Sequence, residues 1–142
     1  MRIQYKDVLT EDELSLISRA DKNQKFPLYK DYNHPVLSKI ITLLSNDFEF
    51  EVKSESYWRV ESKPKGHDWH VDTGSNGHMR WCEVGATLLL SDNFTGGETL
   101  YKENGEEIEI ERSVNELLAH TSDEEHKVNK SVGQRTVLLI FI

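Results

Sequence analysis

The sequence predicts a single domain over residues 1–142 that is mainly β, a jelly roll with N-terminal helices packed on one sheet. Apolar residues at helical spacing are confined to the first third of the chain. From there to the last residue, short stretches either alternate apolar and polar residues or are continuously apolar. Segments rich in turn-forming residues separate these stretches. We therefore expect helical support over about residues 10–47 and a jelly-roll core over about residues 48–142.

Two helices are expected ahead of the strands. Thr10 and Glu13 have the spacing of a capping box, and an apolar stripe follows them, which predicts a first helix to about Asp21. Pro35 suits a first helical turn, and the residues after it form a broad apolar face. A second helix is therefore expected from about His34 or Pro35 to Asp47.

The rest of the chain is expected to form about eight short strands. The acidic residues that alternate with Ile108 and Ile110 indicate a sheet face exposed to solvent rather than a binding site. The expected strands cover residues 48–52, 57–60, 68–72, 84–90, 98–101, 107–111, 114–119 and 135–142.

Composition and charge exclude several functional classes. The formal net charge of −8 disfavours a nucleic acid partner, because phosphate binding relies on clustered Lys and Arg. No apolar run approaches the length needed to cross a bilayer. The single cysteine, Cys82, and an N-terminus without the apolar centre of a signal peptide favour a cytoplasmic protein.

A candidate metal site begins with His70 and Asp72, which would point to the same face of an extended strand. His126 is the expected third ligand, because it begins the segment that leads to Arg135, and His120 is the alternative. Two imidazoles and one carboxylate on one face of an ion leave further positions open, as in non-haem Fe(II) oxygenases.

Arg135 opens a strand that is otherwise apolar, and a guanidinium is costly there unless its charge is paired. One interpretation is a structural ion pair. The other is a bidentate contact with the far carboxylate of a small dicarboxylate cosubstrate, which the nearby ligand set favours.

These motifs together resemble the Fe(II)- and 2-oxoglutarate-dependent oxygenases, and among them the prolyl-4-hydroxylase-like branch. The matching pieces lie within the last two thirds of the chain and are His70–Asp72, Phe94–Leu100, His126–Val128 and Gly133–Arg135. The resemblance implies a double-stranded β-helix fold.

The resemblance also implies cofactors and an activity. Fe(II) would be held by His70, Asp72 and His126, and the far carboxylate of 2-oxoglutarate would bind Arg135. With O2, the protein would hydroxylate an amino-acid side chain, with proline in a peptide or protein favoured, and release succinate and CO2. The family often has an arginine on the substrate side, which makes Arg80, in the polar loop from residue 74 to residue 81, the candidate substrate contact.

The chain departs from the family pattern at one position. A tyrosine that helps to hold the cosubstrate is replaced here by Val60, and Tyr57 or Tyr101 could take its place. The alternative function is a cupin-like metal-binding module without oxygenase activity, in which Arg135 would form a structural ion pair. Nucleobase oxidation is disfavoured by the acidic charge.

Overall fold

The computed structural model describes residues 1–73 and 78–142. Within these residues the chain forms two α-helices, α1 (Glu11–Ser18) and α2 (Pro35–Ser45), and a 3-10 turn at Leu28–Lys30. The strands are β1 (Arg2–Tyr5), β2 (Phe26–Pro27), β3 (Tyr57–Ser62), β4 (His67–His70), β5 (Val84–Leu89), β6 (Phe94–Gly96), β7 (Thr99–Glu103), β8 (Glu106–Ile110), β9 (Leu117–Thr121), β10 (His126–Val128), β11 (Ser131–Gly133) and β12 (Thr136–Phe141).

The strands pair antiparallel in three sheets. A six-stranded sheet has the order β1-β9-β5-β12-β3-β2, a four-stranded sheet has the order β4-β10-β7-β8, and β11 pairs with β6. The expectation of a mainly β fold with helices near the N-terminus is confirmed. None of the helices in the described part of the chain is long and apolar enough to cross a membrane.

The two faces of the six-stranded sheet have different roles. Val60, Leu88, Leu138 and Ile140 are fully buried on the face that packs with the helices. The residues that alternate with them turn to the other face, toward the four-stranded sheet. The apolar core therefore lies on one side of this sheet, and a cavity lies on the other.

Both predicted helices form, with the expected N-terminal caps. The Thr10 hydroxyl accepts from the Glu13 backbone N–H, and the Glu13 carboxylate accepts from the Thr10 N–H, which completes the capping box. His34 caps α2 by accepting the Val36 N–H at Nδ1, and Pro35 is the first helical residue. α1 ends at Ser18 and α2 at Ser45, slightly earlier than expected.

The prediction of a strand at residues 48–52 is wrong, because this segment is irregular. Phe48 is buried, and Phe50 and Val52 pack against the core. The alternation of apolar and charged residues therefore reflects burial of one side of an irregular segment and not a strand. The backbone N–H groups of Glu51 and Lys53 donate to side-chain oxygens rather than to a neighbouring strand. Conversely, β1 was not expected from sequence, and it pairs with β9 along its whole length.

Candidate active site

A cavity of about 660 Å³ lies between the six-stranded and four-stranded sheets. Side chains from β3, β5, β9 and β12 line one side, and side chains from β4, β7 and β10 line the other. His70, Asp72, His126 and Arg135 all line this cavity. The fold thus brings the expected metal ligands and the expected carboxylate-binding arginine into one space.

His70, Asp72 and His126 form a compact ligand group, whose ligand atoms all lie within 4.8 Å of one another. The Asp72 Oδ1 atom is 3.5 Å from His126 Nε2 and 3.9 Å from His70 Nε2. Two atoms that each bind one ion at about 2.1 Å are at most about 4.2 Å apart. The carboxylate oxygen is therefore close enough to share an ion with either imidazole.

Strand pairing explains why these residues meet. β10 lies between β4 and β7, and His126 is in register with His70 on one side and with Tyr101 on the other. His70 is the last residue of β4, and Asp72 lies in the turn just beyond it. The expectation that one strand carries both His70 and Asp72 is thus corrected, although both still face the same space.

The second nitrogen of each ligand imidazole is fixed by a backbone carbonyl two residues earlier. His70 Nδ1 lies 2.6 Å from the Asp68 carbonyl oxygen, and His126 Nδ1 lies 2.8 Å from the Glu124 carbonyl oxygen. A carbonyl only accepts, so Nδ1 carries the proton and the Nε2 lone pair is left for an ion. Both rings are therefore held in the tautomer that a metal requires.

His120 has a different role in the geometry. Its Nε2 atom lies 2.6 Å from Asp72 Oδ2, and its Nδ1 atom lies 2.7 Å from the Tyr101 hydroxyl. Both ring nitrogens are therefore engaged by neighbouring side chains. The arrangement favours His126 over His120 as the third ligand.

Burial and charge keep the ligands in suitable protonation states. Burial alone would raise the pKa of Asp72, but the hydrogen bond from His120 and the nearby imidazoles hold it below its ordinary value. Burial, and after it the neighbouring His120 imidazole, lowers the pKa of His126 to about 4. Asp72 is therefore ionised and His126 neutral at neutral pH, as metal binding requires.

Arg135 lies immediately before β12, and its side chain reaches the cavity. Within residues 1–73 and 78–142, no carboxylate forms an ion pair with it. Burial, and after it the charge of Arg112, lowers the pKa of Arg135 to about 10, so the guanidinium stays charged at neutral pH. Arg112 also lines the cavity, but its guanidinium is bound by Glu116 and Thr87.

Two details beside Arg135 were not found from sequence. Thr99 is one of the residues that line the cavity, and its hydroxyl is buried without a hydrogen-bond partner among the described residues. Gly97 lies under the arginine, since a Cβ atom there would be 2.7 Å from Arg135 Cδ. Both residues belong to the Phe94–Leu100 motif, which was the available signal, but the sequence did not show which side chains face the cavity.

The tyrosine position of the family is occupied by a core residue. Val60 is fully buried and packs on the helix side of the sheet, so it cannot contact a cavity ligand. Its neighbours Arg59 and Glu61 line the cavity instead and are paired with each other. Of the two proposed substitutes, Tyr101 has its hydroxyl at His120, and Tyr57 has its hydroxyl 4.0 Å from Met79 Sδ.

The candidate substrate residue, Arg80, is exposed and is not part of the cavity wall. The loop expected to cover the site includes residues 74–77, which lie outside the described residues. His78 and Met79, just before Arg80, do line the cavity.

Known proteins resemble this chain in structure rather than in sequence. No protein-family model and no curated protein matches it. A prolyl-4-hydroxylase from Pseudomonas putida aligns with a TM-score of 0.72 and 16% identity, over 99% of this chain and 83% of that chain. A prolyl hydroxylase from Trichoplax adhaerens, in complex with a hypoxia inducible factor oxygen degradation domain peptide fragment, aligns with a TM-score of 0.69 and 13% identity, over 99% and 83%.

A 2OG-Fe(II) oxygenase family oxidoreductase from Burkholderia pseudomallei aligns with a TM-score of 0.64 and 16% identity, over 99% of this chain and 82% of that chain. Each alignment extends over nearly all of this chain, including both helices and the sheets. This chain therefore has the fold of the 2-oxoglutarate- and Fe(II)-dependent oxygenases.

Proposed function

We propose that this protein is an Fe(II)- and 2-oxoglutarate-dependent dioxygenase that hydroxylates an amino-acid side chain. The observation that carries the proposal is the set of side chains that line one cavity. A His-Asp-His group lines it together with a partly buried, charged arginine that has no ion pair among the described residues. An ion and a dicarboxylate are the two ligands that this combination fits.

Fe(II) would be held by His70, Asp72 and His126. Their donor set, two neutral imidazoles and one carboxylate, suits Fe(II) and leaves three coordination positions for the cosubstrate and O2. When bound, iron and 2-oxoglutarate would supply the oxidation, in which 2-oxoglutarate and O2 give succinate and CO2, with one oxygen atom of O2 in succinate and the other in the hydroxyl group of the substrate. The protein residues hold these groups and orient them within the cavity.

The far carboxylate of 2-oxoglutarate would bind Arg135 in a bidentate contact, with the Thr99 hydroxyl as a further donor. Among the described residues, the partly buried Arg135 guanidinium has no ion pair and the buried Thr99 hydroxyl has no hydrogen-bond partner, and both are unfavourable in the ligand-free protein. A carboxylate would satisfy both groups at once. Its binding therefore accounts for two features that a purely structural interpretation leaves unexplained.

In this proposal the six-stranded and four-stranded sheets are the two sides of a double-stranded β-helix, and residues 1–142 form one domain. Proline in a peptide or protein is the proposed substrate, supported by the prolyl hydroxylases among the structural neighbours. Arg80 is the proposed substrate contact. It lies two residues from His78, which lines the cavity.

The proposal is tested by titrating 2-oxoglutarate into the anaerobic Fe(II) proteins, native and Arg135→Ala. Removing a buried charged hydrogen-bond partner costs about 1.5–3 kcal/mol, so we expect the affinity to fall roughly 10- to 150-fold. Arg80→Ala serves as the control that also removes an arginine. Metal affinity and melting temperature should be retained in both variants.

An unchanged affinity in Arg135→Ala would overturn the carboxylate assignment. It would favour a cupin-like metal-binding module in which Arg135 has a structural role. If the cosubstrate does bind, the substrate class is tested by mass spectrometry of proline peptides after turnover. Matched peptides with alanine in place of proline are the control, and oxygen added to both sets would contradict the choice of proline.

A further inference from the structure

We propose that His120 is a positioning residue which, together with Tyr101, orients the Asp72 carboxylate so that only Oδ1 faces the metal. This inference rests on the proposed metal site. It assigns a role to a histidine that the proposed reaction does not otherwise use.

The three groups form a continuous hydrogen-bonded chain. The Tyr101 hydroxyl lies 2.7 Å from His120 Nδ1, and His120 Nε2 lies 2.6 Å from Asp72 Oδ2. Tyr101, His120 and Asp72 are 1%, 4% and 5% exposed, so water does not compete for these contacts. The ionised Asp72 carboxylate can only accept, so His120 Nε2 carries the proton and donates it, and Nδ1 of the neutral imidazole accepts from the Tyr101 hydroxyl.

Strand β5 leaves room for these hydrogen-bonded side chains. Gly85 on β5 is the register partner of His120 on β9. A Cβ atom at Gly85 would overlap Asp72 Oδ2 and would lie 2.9 Å from His120 Nε2. Gly85 is not among the residues with positive φ, so its backbone does not require glycine. The missing side chain is therefore explained by the close approach of the Asp72–His120 pair.

The pairing has a consequence for coordination. Oδ2 of Asp72 is occupied by His120, whereas Oδ1 is the oxygen 3.5 Å from His126 Nε2. A carboxylate held in this way binds an ion through one oxygen and leaves adjacent positions for a chelating keto acid and O2. Without His120, the buried carboxylate loses a charge-assisted hydrogen bond and its second oxygen becomes available to the ion.

The test compares His120→Leu, His120→Gln and Tyr101→Phe in the full chain. Metal affinity is measured by competition with a coloured chelator, with anaerobic Fe(II) and separately with Co(II), whose visible spectrum reports coordination number. We expect His120→Leu to lose roughly 10- to 100-fold in metal affinity and to change the Co(II) spectrum. Glutamine can place an amide N–H near the Nε2 position, so His120→Gln should restore most of the affinity, and Tyr101→Phe should be intermediate.

Native affinity in a folded His120→Leu protein would overturn the proposal. So would equal losses in the leucine and glutamine variants, because that result indicates packing rather than hydrogen bonding. Metal binding is measured without 2-oxoglutarate, so a protein that binds metal but no cosubstrate would refute the proposed function and leave the role of His120 to be decided by these affinities.

A second measurement requires neither a variant nor a metal. A long-range proton–nitrogen correlation spectrum of the imidazoles in the native, metal-free protein reports which nitrogen of His120 is protonated. We expect the proton on Nε2 and an accepting Nδ1. A neutral His120 with its proton on Nδ1 would contradict the proposal, because Nε2 could not then donate to Asp72.

Discussion

His126 is the direct register partner of His70, and the centroids of the two imidazole rings are 4.3 Å apart. The pairing of β10 with β4 therefore places the third candidate ligand beside the first, although they are far apart in sequence. The proposed metal site depends on this strand pair. A substitution that shifts its register would separate the ligands without changing any of them.

Substitution of Gly97 by alanine tests whether the position of the Arg135 side chain controls 2-oxoglutarate binding. Gly97 and Gly105 both have positive φ, +71° and +80°, so alanine at either position should lower the free energy of unfolding by about 1–2 kcal/mol. Only at Gly97 would the new Cβ atom meet Arg135, since nothing lies within 4 Å of a Cβ atom at Gly105.

We therefore expect Gly97→Ala to weaken 2-oxoglutarate binding roughly 10-fold, about 1.4 kcal/mol. Gly105→Ala should bind 2-oxoglutarate as the native protein does. Calorimetric titration of both variants distinguishes the contact from the backbone strain that they share. Equal affinities in the two variants would contradict the assignment of Arg135.

Thr99→Val tests the unpaired hydroxyl. Valine has nearly the shape of threonine and favours a β-strand, and it removes a buried hydroxyl that has no hydrogen-bond partner among the described residues. The ligand-free protein should therefore be unchanged in stability or gain up to about 1 kcal/mol. Its affinity for 2-oxoglutarate should fall by about 0.5–1.5 kcal/mol.

The measurements are chemical denaturation of the ligand-free protein and calorimetric titration with 2-oxoglutarate. A variant that loses stability but binds 2-oxoglutarate normally would show that the hydroxyl is structural. Thr136→Val, at the first residue of β12 in the six-stranded sheet, is the control for the same substitution in another strand.

Arg80 tests the substrate side of the proposed site. Because it is exposed and lies outside the cavity wall, Arg80→Ala should keep native affinity for Fe(II) and 2-oxoglutarate. Substrate hydroxylation should fall relative to 2-oxoglutarate consumption, as measured by comparing hydroxylated product with succinate. A parallel loss of 2-oxoglutarate affinity would place Arg80 with the cosubstrate instead.

The sequence predicted those features that are encoded locally or by unusual residue types. The capping box at Thr10 involves few residues, and a charged residue before an apolar strand marks Arg135. His70 and Asp72 are close enough in sequence to face the same space, although Asp72 lies in the turn after β4 rather than on the strand. These features needed no knowledge of which strands pair.

Features that depend on distant partners could not be predicted. β1 is a strand because β9 lies beside it, and residues 48–52 alternate in the same way but have no partner strand. The contact of His120 with Asp72 likewise requires the packing of β9 against the turn after β4. Nothing near His120 in the sequence indicates that its partner lies 48 residues earlier.

The central claim is that the His-Asp-His group and Arg135 together bind Fe(II) and 2-oxoglutarate. The most direct test adds 2-oxoglutarate to the anaerobic protein at saturating Fe(II) and records the weak visible charge-transfer band of a chelated keto acid. His126→Ala and His120→Ala are measured beside the native protein. We predict a band in the native protein, its loss in His126→Ala, and a band that persists but is shifted or weakened in His120→Ala, because there the Asp72 carboxylate is no longer held by His120. No band in folded, iron-loaded native protein would contradict the claim.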